Sequence, residues 1–393
     1  MNILWIISSG WKEGGAENYV TSLRPILEQQ GHTVKILASD DHPEKPHFNE
    51  YAYRTHHGVL RPFFHVFNIS AYRTLKDVLR TFNPDVVHIH TFGHASGAIL
   101  FPLKNYPTVM TVHGPESFIK GLRLWCFPRS YFKNGMYAAE NLTLAGRLRF
   151  LYHQLLTDPV FHLGLHNVDT IISPSAYIRE LIAREGFSSV YIPNGIRLFS
   201  HSPLTQETYS PTVVYVGRLE PLKGVDILLR AFAKVSVRFP DARLLVAGDG
   251  SDRERLETIA TELGILPVVQ FLGYVDVDTL VATYVRAAFA VVPSMWMEAF
   301  GLVGVEAMSV GRPVIASDVG GVSSWMVDGE TGFLVPPGDV AALVAAMTRF
   351  FEHPELVLSM GKKARGVSEK FGIDSHATDI IRVYTDTISY YAK

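Results

Sequence analysis

The sequence predicts an α/β protein made of two doubly wound parallel-sheet domains, and three observations predict it. Short apolar runs alternate with longer amphipathic stretches, the rhythm of repeated βαβ units. That rhythm breaks in a polar run at 201–211, rich in Ser, Thr and Pro, and then restarts. The length of 393 residues also exceeds what one hydrophobic core usually fills.

The elements follow in order. Residues 3–8 form a first buried strand, 17–30 a helix ended by Gly31, and 33–38 a second strand. Short apolar runs at 85–89, 108–112, 169–172 and 190–192 read as further strands of the first domain. Pro193-Asn194-Gly195 then breaks the pattern. In the second domain, strands are expected at 212–216, 243–247, 268–272, 287–292, 313–316 and 332–335. Helices are expected at 225–239 and 251–263. Ligands of such sheets bind beyond the carboxyl ends of the strands, so a central cleft between the domains is expected. The domain reading is 1–200, 201–373 and a terminal segment 374–393.

Composition narrows the function classes. Hydrophobic residues make up 47% and charged residues 19%, a globular balance without disordered bias. A net charge of -2 gives the chain no nucleic-acid footprint. One cysteine, Cys126, excludes an internal disulfide and a multi-cysteine zinc site, and fits a reducing, cytoplasmic setting. The N-terminal Met1-Asn2-Ile3-Leu4 lacks a basic leader, and no run of 18 uncharged apolar residues is present.

The stretch 115–149 departs from the βαβ rhythm. It holds Phe118, Leu122, Leu124, Trp125, Phe127, Tyr131 and Phe132, interleaved with Lys120, Arg123, Arg129, Lys133, Arg147 and Arg149. One reading is an insertion packed on its own domain with its arginines in water, which the usual burial of aromatic side chains favours. The other is a lid, or a surface in peripheral contact with an anionic membrane.

Several segments carry candidate chemistry. Glu298 falls just before an expected helix and Glu306 inside it, after the strand 287–292. A helix start offers free N–H groups and a positive dipole end to phosphate, and carboxylates accept hydrogen bonds from sugar hydroxyls. The run Gly217-Arg218-Leu219-Glu220-Pro221-Leu222-Lys223-Gly224 places two cations where the strand 212–216 meets its helix, as a diphosphate requires. Gly14-Gly15 opens the first helix, and Gly248-Asp249-Gly250 is another strand-to-helix turn; each allows close approach of a ligand or is simply a tight turn. Tyr274 and Val275 end a strand at the same edge and could flank a base. Asp276-Val277-Asp278 matches the short Asp-x-Asp of metal-dependent sugar transferases, but a helix N-cap is the simpler reading. His113 sits at a strand end, a ligand-facing position. His88 and His90 share one strand face, but no third metal ligand is evident.

In this order the motifs resemble the family 4 retaining glycosyltransferases (glycosyl transferases group 1). The resemblance rests on Gly14-Gly15-Ala16-Glu17, Thr111-Val112-His113, Ser173-Pro174-Ser175, Pro193-Asn194-Gly195, Gly217-Arg218-Leu219 with Lys223-Gly224, Gly248-Asp249-Gly250, Phe271-Leu272-Gly273, and Glu298-Ala299-Phe300-Gly301 through Glu306-Ala307. It implies the GT-B fold, with two Rossmann-like domains facing a central cleft and a C-terminal helix crossing back to the first. It also implies transfer from a nucleoside-diphosphate sugar, UDP-linked by default, with retention and without metal or other cofactor. On that resemblance Arg218 and Lys223 would hold the diphosphate and Glu306 the ribose hydroxyls. Glu298 would contact the donor sugar, with the N–H groups of Phe300, Gly301 and Leu302 supporting sugar and phosphate. His113 would face the sugar near the reacting carbon, Gly15 would let the first loop close on the phosphate, Gly248 would line the donor, and Tyr274 and Val275 would lie near the base. The acceptor would be a hydroxyl compound, lipid-linked or free, chosen by the first domain. A nucleotide-sugar epimerase would need further carboxylates at the sugar, and a non-catalytic GT-B scaffold would not need Glu298, Glu306, Arg218 and Lys223 all in place. The missing G-x-G-x-x-G fingerprint disfavours a dehydrogenase.

Overall fold

A computed structural model describes residues 1–11, 14–42, 45–55, 61–115, 132–133, 136–137, 151–199, 205 and 209–391. Most of the expected insertion at 115–149 and of the expected linker at 201–211 lies outside the described residues. The chain divides into two compact units, changing over between Gly195 and Ile196 and again between Gly372 and Ile373.

The first unit holds a seven-stranded sheet. Its strands are β1 (Asn2–Ile6), β2 (Thr33–Ser39), β3 (Tyr51–Tyr53), β4 (Val86–Ile89) and β5 (Thr108–Thr111), with two later ones. A short antiparallel pair, β6 (Phe132–Lys133) with β7 (Met136–Tyr137), groups with the second unit instead. The later strands are β8 (Thr170–Ser173) and β9 (Val190–Tyr191), giving the order β3-β2-β1-β4-β5-β8-β9. Every pairing in this sheet is parallel. Ile3, Leu4, Trp5 and Ile6 are all fully buried, so both faces of β1 are covered, as a parallel sheet requires. The helix Gly15–Gln29 covers one face with Tyr19, Val20, Leu23 and Leu27. The terminal helix Ile373–Tyr391 also belongs to this unit, burying Ala377, Ile380 and Tyr384 at helical spacing.

The second unit holds six parallel strands. They are β10 (Thr212–Val216), β11 (Arg243–Ala247), β12 (Val269–Gly273), β13 (Phe289–Val292), β14 (Val314–Ser317) and β15 (Gly332–Val335), in the order β12-β11-β10-β13-β14-β15. Val213 and Tyr215 face one core while Val214 faces the other, the period of two that makes each strand an unbroken apolar run. The chain moves outward from β10 in one direction and from β13 in the other. The carboxyl ends of β10 and β13 therefore form the topological switch point, where open α/β sheets leave a crevice.

Most expected strands are present and end within two residues of the expected bounds. Among the elements the reading does not anticipate, two show why. The edge strand β3 is only Tyr-Ala-Tyr, too short to show alternation, and gains its shape from pairing with β2. Residues Gly97–Asn105 form a 3-10 stretch whose Ala98, Ile99, Leu100 and Leu103 are buried, so burial rather than periodicity fixes it.

Candidate functional site

The loop after β10 and the loop after β13 meet at the switch point. Gly217 to Gly224 leaves β10 through a 3-10 turn, Pro221–Lys223, and enters the helix Val225–Arg238. Gly224 has φ +69, and a Cβ there would lie 2.0 Å from the carbonyl oxygen of Pro293, so only glycine lets the two loops touch. The Met295 N–H donates to the Leu222 carbonyl at 2.8 Å and ties them together.

This docking joins Lys223 and Glu298. The Lys223 ammonium donates to Glu298 Oε1 at 2.7 Å, with side chains 24% and 13% exposed, so water screens the pair only weakly. The buried Ser294 hydroxyl donates to the same oxygen. Burial pushes the Glu298 carboxyl up, but the charge and hydrogen bond of Lys223, the Ser294 hydroxyl and the charge of Arg218 outweigh it and hold the group below its ordinary range. Glu298 is thus ionised at neutral pH. Arg218 makes an ion pair of its own, with Glu220 at 2.9 Å. Tyr215 donates to the Arg218 carbonyl at 2.9 Å; burial first, then Glu298 and Glu220, push its phenol up, so it stays a neutral donor.

The segment after Glu298 is held by its backbone. The Gly321 N–H donates to the Glu298 carbonyl at 2.6 Å, and Trp325 Nε1 donates to the Phe300 carbonyl at 2.5 Å. Phe300 is buried, contributing about 2–3 kcal/mol of apolar burial that pins the helix start. The helix Leu302–Ser309 begins at Gly301 without a side-chain cap, so its first N–H groups have no side-chain acceptor. Gly304 lies against Trp325, where a Cβ would sit 2.2 Å from the ring, so the indole sets how closely this helix packs.

Glu306 projects from the middle of the same helix. It is half-buried, and burial pushes it up to about 7, opposed by a hydrogen bond from Tyr284. The phenol of Tyr284 lies 3.2 Å from Glu306 Oε2. The two candidate carboxyls therefore diverge, one held down by a cation and one raised by desolvation.

Other expected residues fall as follows. A Cβ on Gly248 would meet the Gly217 carbonyl at 1.9 Å, so strand-end packing already explains that glycine. Tyr274 is 75% exposed and Val275 half-buried beyond the end of the edge strand β12. Asp276 accepts from the Thr279 N–H at 2.8 Å and caps the helix Val277–Arg286, the simpler of the two readings of Asp-x-Asp. Ser294, Glu220 and Tyr284 were missed in the sequence. Of these, Ser294 and Glu220 had a positional signal, since they adjoin the two loops, and Tyr284 had none.

In the first unit, Gly15 is exposed at the start of its helix. His113 follows β5 and joins a largely buried histidine–tyrosine group. His113 Nε2 lies 3.1 Å from His90 Nδ1, and its ring packs on Tyr19. Trp5 donates to the Tyr384 hydroxyl at 3.0 Å, which lies 2.6 Å from His88 Nδ1, while His88 Nε2 is 2.8 Å from Thr111 Oγ1. Burial, then neighbouring histidines, lowers His88, His90 and His113, the last to about 3. Among the described residues no group of three or more His, Cys, Asp or Glu could hold a metal ion.

Comparison with known proteins decides the family. The model of Glycosyltransferase Family 4 matches residues 13–198, and that of Glycosyl transferases group 1 matches 199–367. The chain belongs to the family 4 glycosyltransferases. This glycosyltransferase is 29% identical over 96% of its length to a phosphatidyl-myo-inositol mannosyltransferase of Mycolicibacterium smegmatis, covering 91% of that protein. It is 36% identical to a D-inositol 3-phosphate glycosyltransferase of Corynebacterium aurimucosum, over 46% of its own length and 44% of that protein. Its fold matches a sucrose-phosphate synthase from Thermosynechococcus elongatus, with TM-score 0.79 and 24% identity over 99% of both chains. It also matches the Anabaena protein HepE solved with UDP and glucose, with TM-score 0.69 and 19% identity over 98% of this chain and 100% of that one. The glycosyltransferase thus has the GT-B fold, and among its described residues no helix is long and apolar enough to cross a membrane.

Proposed function

We propose that this glycosyltransferase moves a sugar from a nucleoside-diphosphate sugar, UDP-linked by default, to a hydroxyl acceptor, with retention and without a metal. The observation that carries the proposal is the Lys223–Glu298 pair at the switch point, beside a helix start with no side-chain cap. Departure of the diphosphate builds negative charge on phosphate and positive charge on the sugar. Lys223 and Arg218, with the N–H groups at Phe300, Gly301 and Leu302, stabilise the leaving side in this reading. Glu298 accepts hydrogen bonds from the donor sugar, and Glu306 from the ribose. Gly248 lines the donor, and Tyr274 and Val275 flank the base; β12 lies two strand spacings, about 10 Å, from β10. In the first unit Gly15 and His113 act on the donor phosphate and sugar, and a His113 held neutral serves as a hydrogen-bonding group rather than a cation. The acceptor hydroxyl gives its proton to the departing phosphate oxygen on the same face, so no carboxylate nucleophile is required. The opposite shifts of Glu298 and Glu306 could suggest a glycosidase-like pair. Each has a local cause instead: the Lys223 ion pair for one, desolvation for the other.

Two relatives are named for inositol-based substrates, which makes an inositol phosphate and an inositol lipid the first acceptors to test. A cytoplasmic setting, with peripheral membrane contact through 115–149, belongs to the same proposal. Retention can be tested before the acceptor is known. The protein is incubated with UDP-sugars with and without EDTA, and proton NMR follows the anomer first released to water. The expected result is the donor's own anomeric configuration at an EDTA-independent rate. The opposite anomer would overturn retention, loss of turnover in EDTA would overturn metal independence, and no turnover or binding of any nucleotide sugar would overturn the reading.

A further inference from the structure

Tyr284 is fully buried near the end of the helix Val277–Arg286. Its hydroxyl carries one proton and meets two acceptors: the Val303 carbonyl at 3.0 Å and Glu306 Oε2 at 3.2 Å. Both belong to the helix Leu302–Ser309, one turn apart. The base of Tyr284 is anchored from the other side. The buried Arg312 guanidinium donates from Nε to the Tyr284 carbonyl at 3.2 Å and from Nη2 to the Val285 carbonyl at 2.6 Å. The backbone that carries Tyr284 is thereby held, and the burial of its ring keeps the hydroxyl beside the carboxylate.

We propose that Tyr284 is a positioning residue for Glu306, holding Oε2 with its hydroxyl so that Oε1 is presented to the ribose hydroxyls of the bound nucleotide. This rests on the reading of Glu306 as the ribose-binding group. It adds a coupling to protons. The ribose needs an ionised acceptor, whereas burial raises Glu306 to about 7, opposed by Tyr284. As Glu306 loses its proton, the Tyr284 hydroxyl turns from the Val303 carbonyl to the carboxylate. Tyr284 is the titratable side chain that bears on Glu306, Tyr215 from β10 bears on Tyr284, and Arg312 approaches only through backbone carbonyls. Nucleotide capture therefore releases a proton near neutral pH.

The test compares UDP (or ADP or GDP, whichever binds most tightly) with its 2′,3′-dideoxy analogue in the wild-type protein, Tyr284→Phe and Glu306→Gln. Carbon-13 spectra of carboxyl-labelled glutamate, assigned by the signal missing in Glu306→Gln, report the titration of Glu306 itself. In the wild type, affinity for the ribonucleotide should strengthen as pH rises through about 7 by more than that for the analogue, whose change comes from the terminal phosphate that both share. Tyr284→Phe should weaken the ribonucleotide about tenfold, the worth of one hydrogen bond to a charged group. It should spare the analogue and move the Glu306 titration upward. If the wild type does not distinguish the two nucleotides, the ribose role of Glu306 fails and the proposal with it. If the wild type distinguishes them, Glu306→Gln does not, and Tyr284→Phe matches the wild type in selectivity and titration, the positioning role alone is overturned. An equal loss for both nucleotides in Tyr284→Phe would likewise overturn it as a merely structural effect. The wild-type pH profile stands even if a variant fails to fold, and a ribonucleotide profile that runs parallel to the analogue's overturns the coupling.

Discussion

Lys223 and Glu298 hold each other, and each is expected to be indispensable to the donor. Lys223→Ala leaves a shielded carboxylate with one hydroxyl donor, costing about 1–3 kcal/mol of stability near neutral pH. The sign with pH follows from the depressed Glu298. Its contribution is in place above the unfolded value of 4.5 and is lost as pH falls through the lower folded value. The stability gap between wild type and Lys223→Ala should therefore close on acidification, which urea titrations at a series of pH values would check. Glu298→Gln and Lys223→Ala should each lower kcat/KM about 100-fold or more; near-wild-type rates in both would remove them from the site. These two residues were legible because each lies on a strand-to-helix loop. Their partners Glu220 and Ser294 lie close by in sequence, but the pairing of Lys223 with Glu298 joins residues 75 apart, which no local pattern encodes. Tyr284 had no sequence signal, since a tyrosine near a helix end is usually just core.

The helix Leu302–Ser309 owes its start to packing rather than to a capping side chain. Gly301 at φ +89, the Phe300 ring and the Trp325 indole fix it, and none of these announces a cap in sequence. By contrast a cap at Asp276 or Asp278 was legible, because an acidic residue just before Thr279-Leu280-Val281 suits a helix start, and Asp276 takes the role. Asp276→Ala should lower stability modestly while leaving turnover unchanged with or without EDTA. A large fall in turnover at unchanged stability would instead give Asp276 a part in catalysis. The strands were read within two residues because buried parallel strands are continuous apolar runs. The three-residue β3 and the 3-10 stretch Gly97–Asn105 were not, because tertiary contacts rather than local pattern shape them.

The two units should respond to pH with opposite signs. In the first, burial lowers His88, His90, His113 and His376, the last two to about 3 and about 4, against an unfolded value of 6.5. That unit is expected to lose stability as pH falls below 6.5, because the unfolded chain binds protons the folded unit refuses. In the second, Glu306 is raised, so this contribution to stability is lost as pH rises from 4.5 towards about 7. Glu306→Gln should therefore stabilise the second unit above neutral pH while abolishing ribose selectivity. Hydrogen exchange read peptide by peptide would separate these trends; parallel responses of both units would contradict them. The two-sheet architecture was legible from the restart of the βαβ rhythm after residue 211. His376, by contrast, reaches Tyr19 across 357 residues, a pairing no local pattern encodes. The central claim is that the Lys223–Glu298 switch point receives a nucleoside diphosphate. Calorimetric titration of UDP, GDP, ADP and TDP into the wild type and Lys223→Ala tests it most directly. Binding of at least one by the wild type, weakened about 100-fold in the variant, is the expected result, and wild-type affinity in Lys223→Ala, or no binding to the wild type, would contradict it.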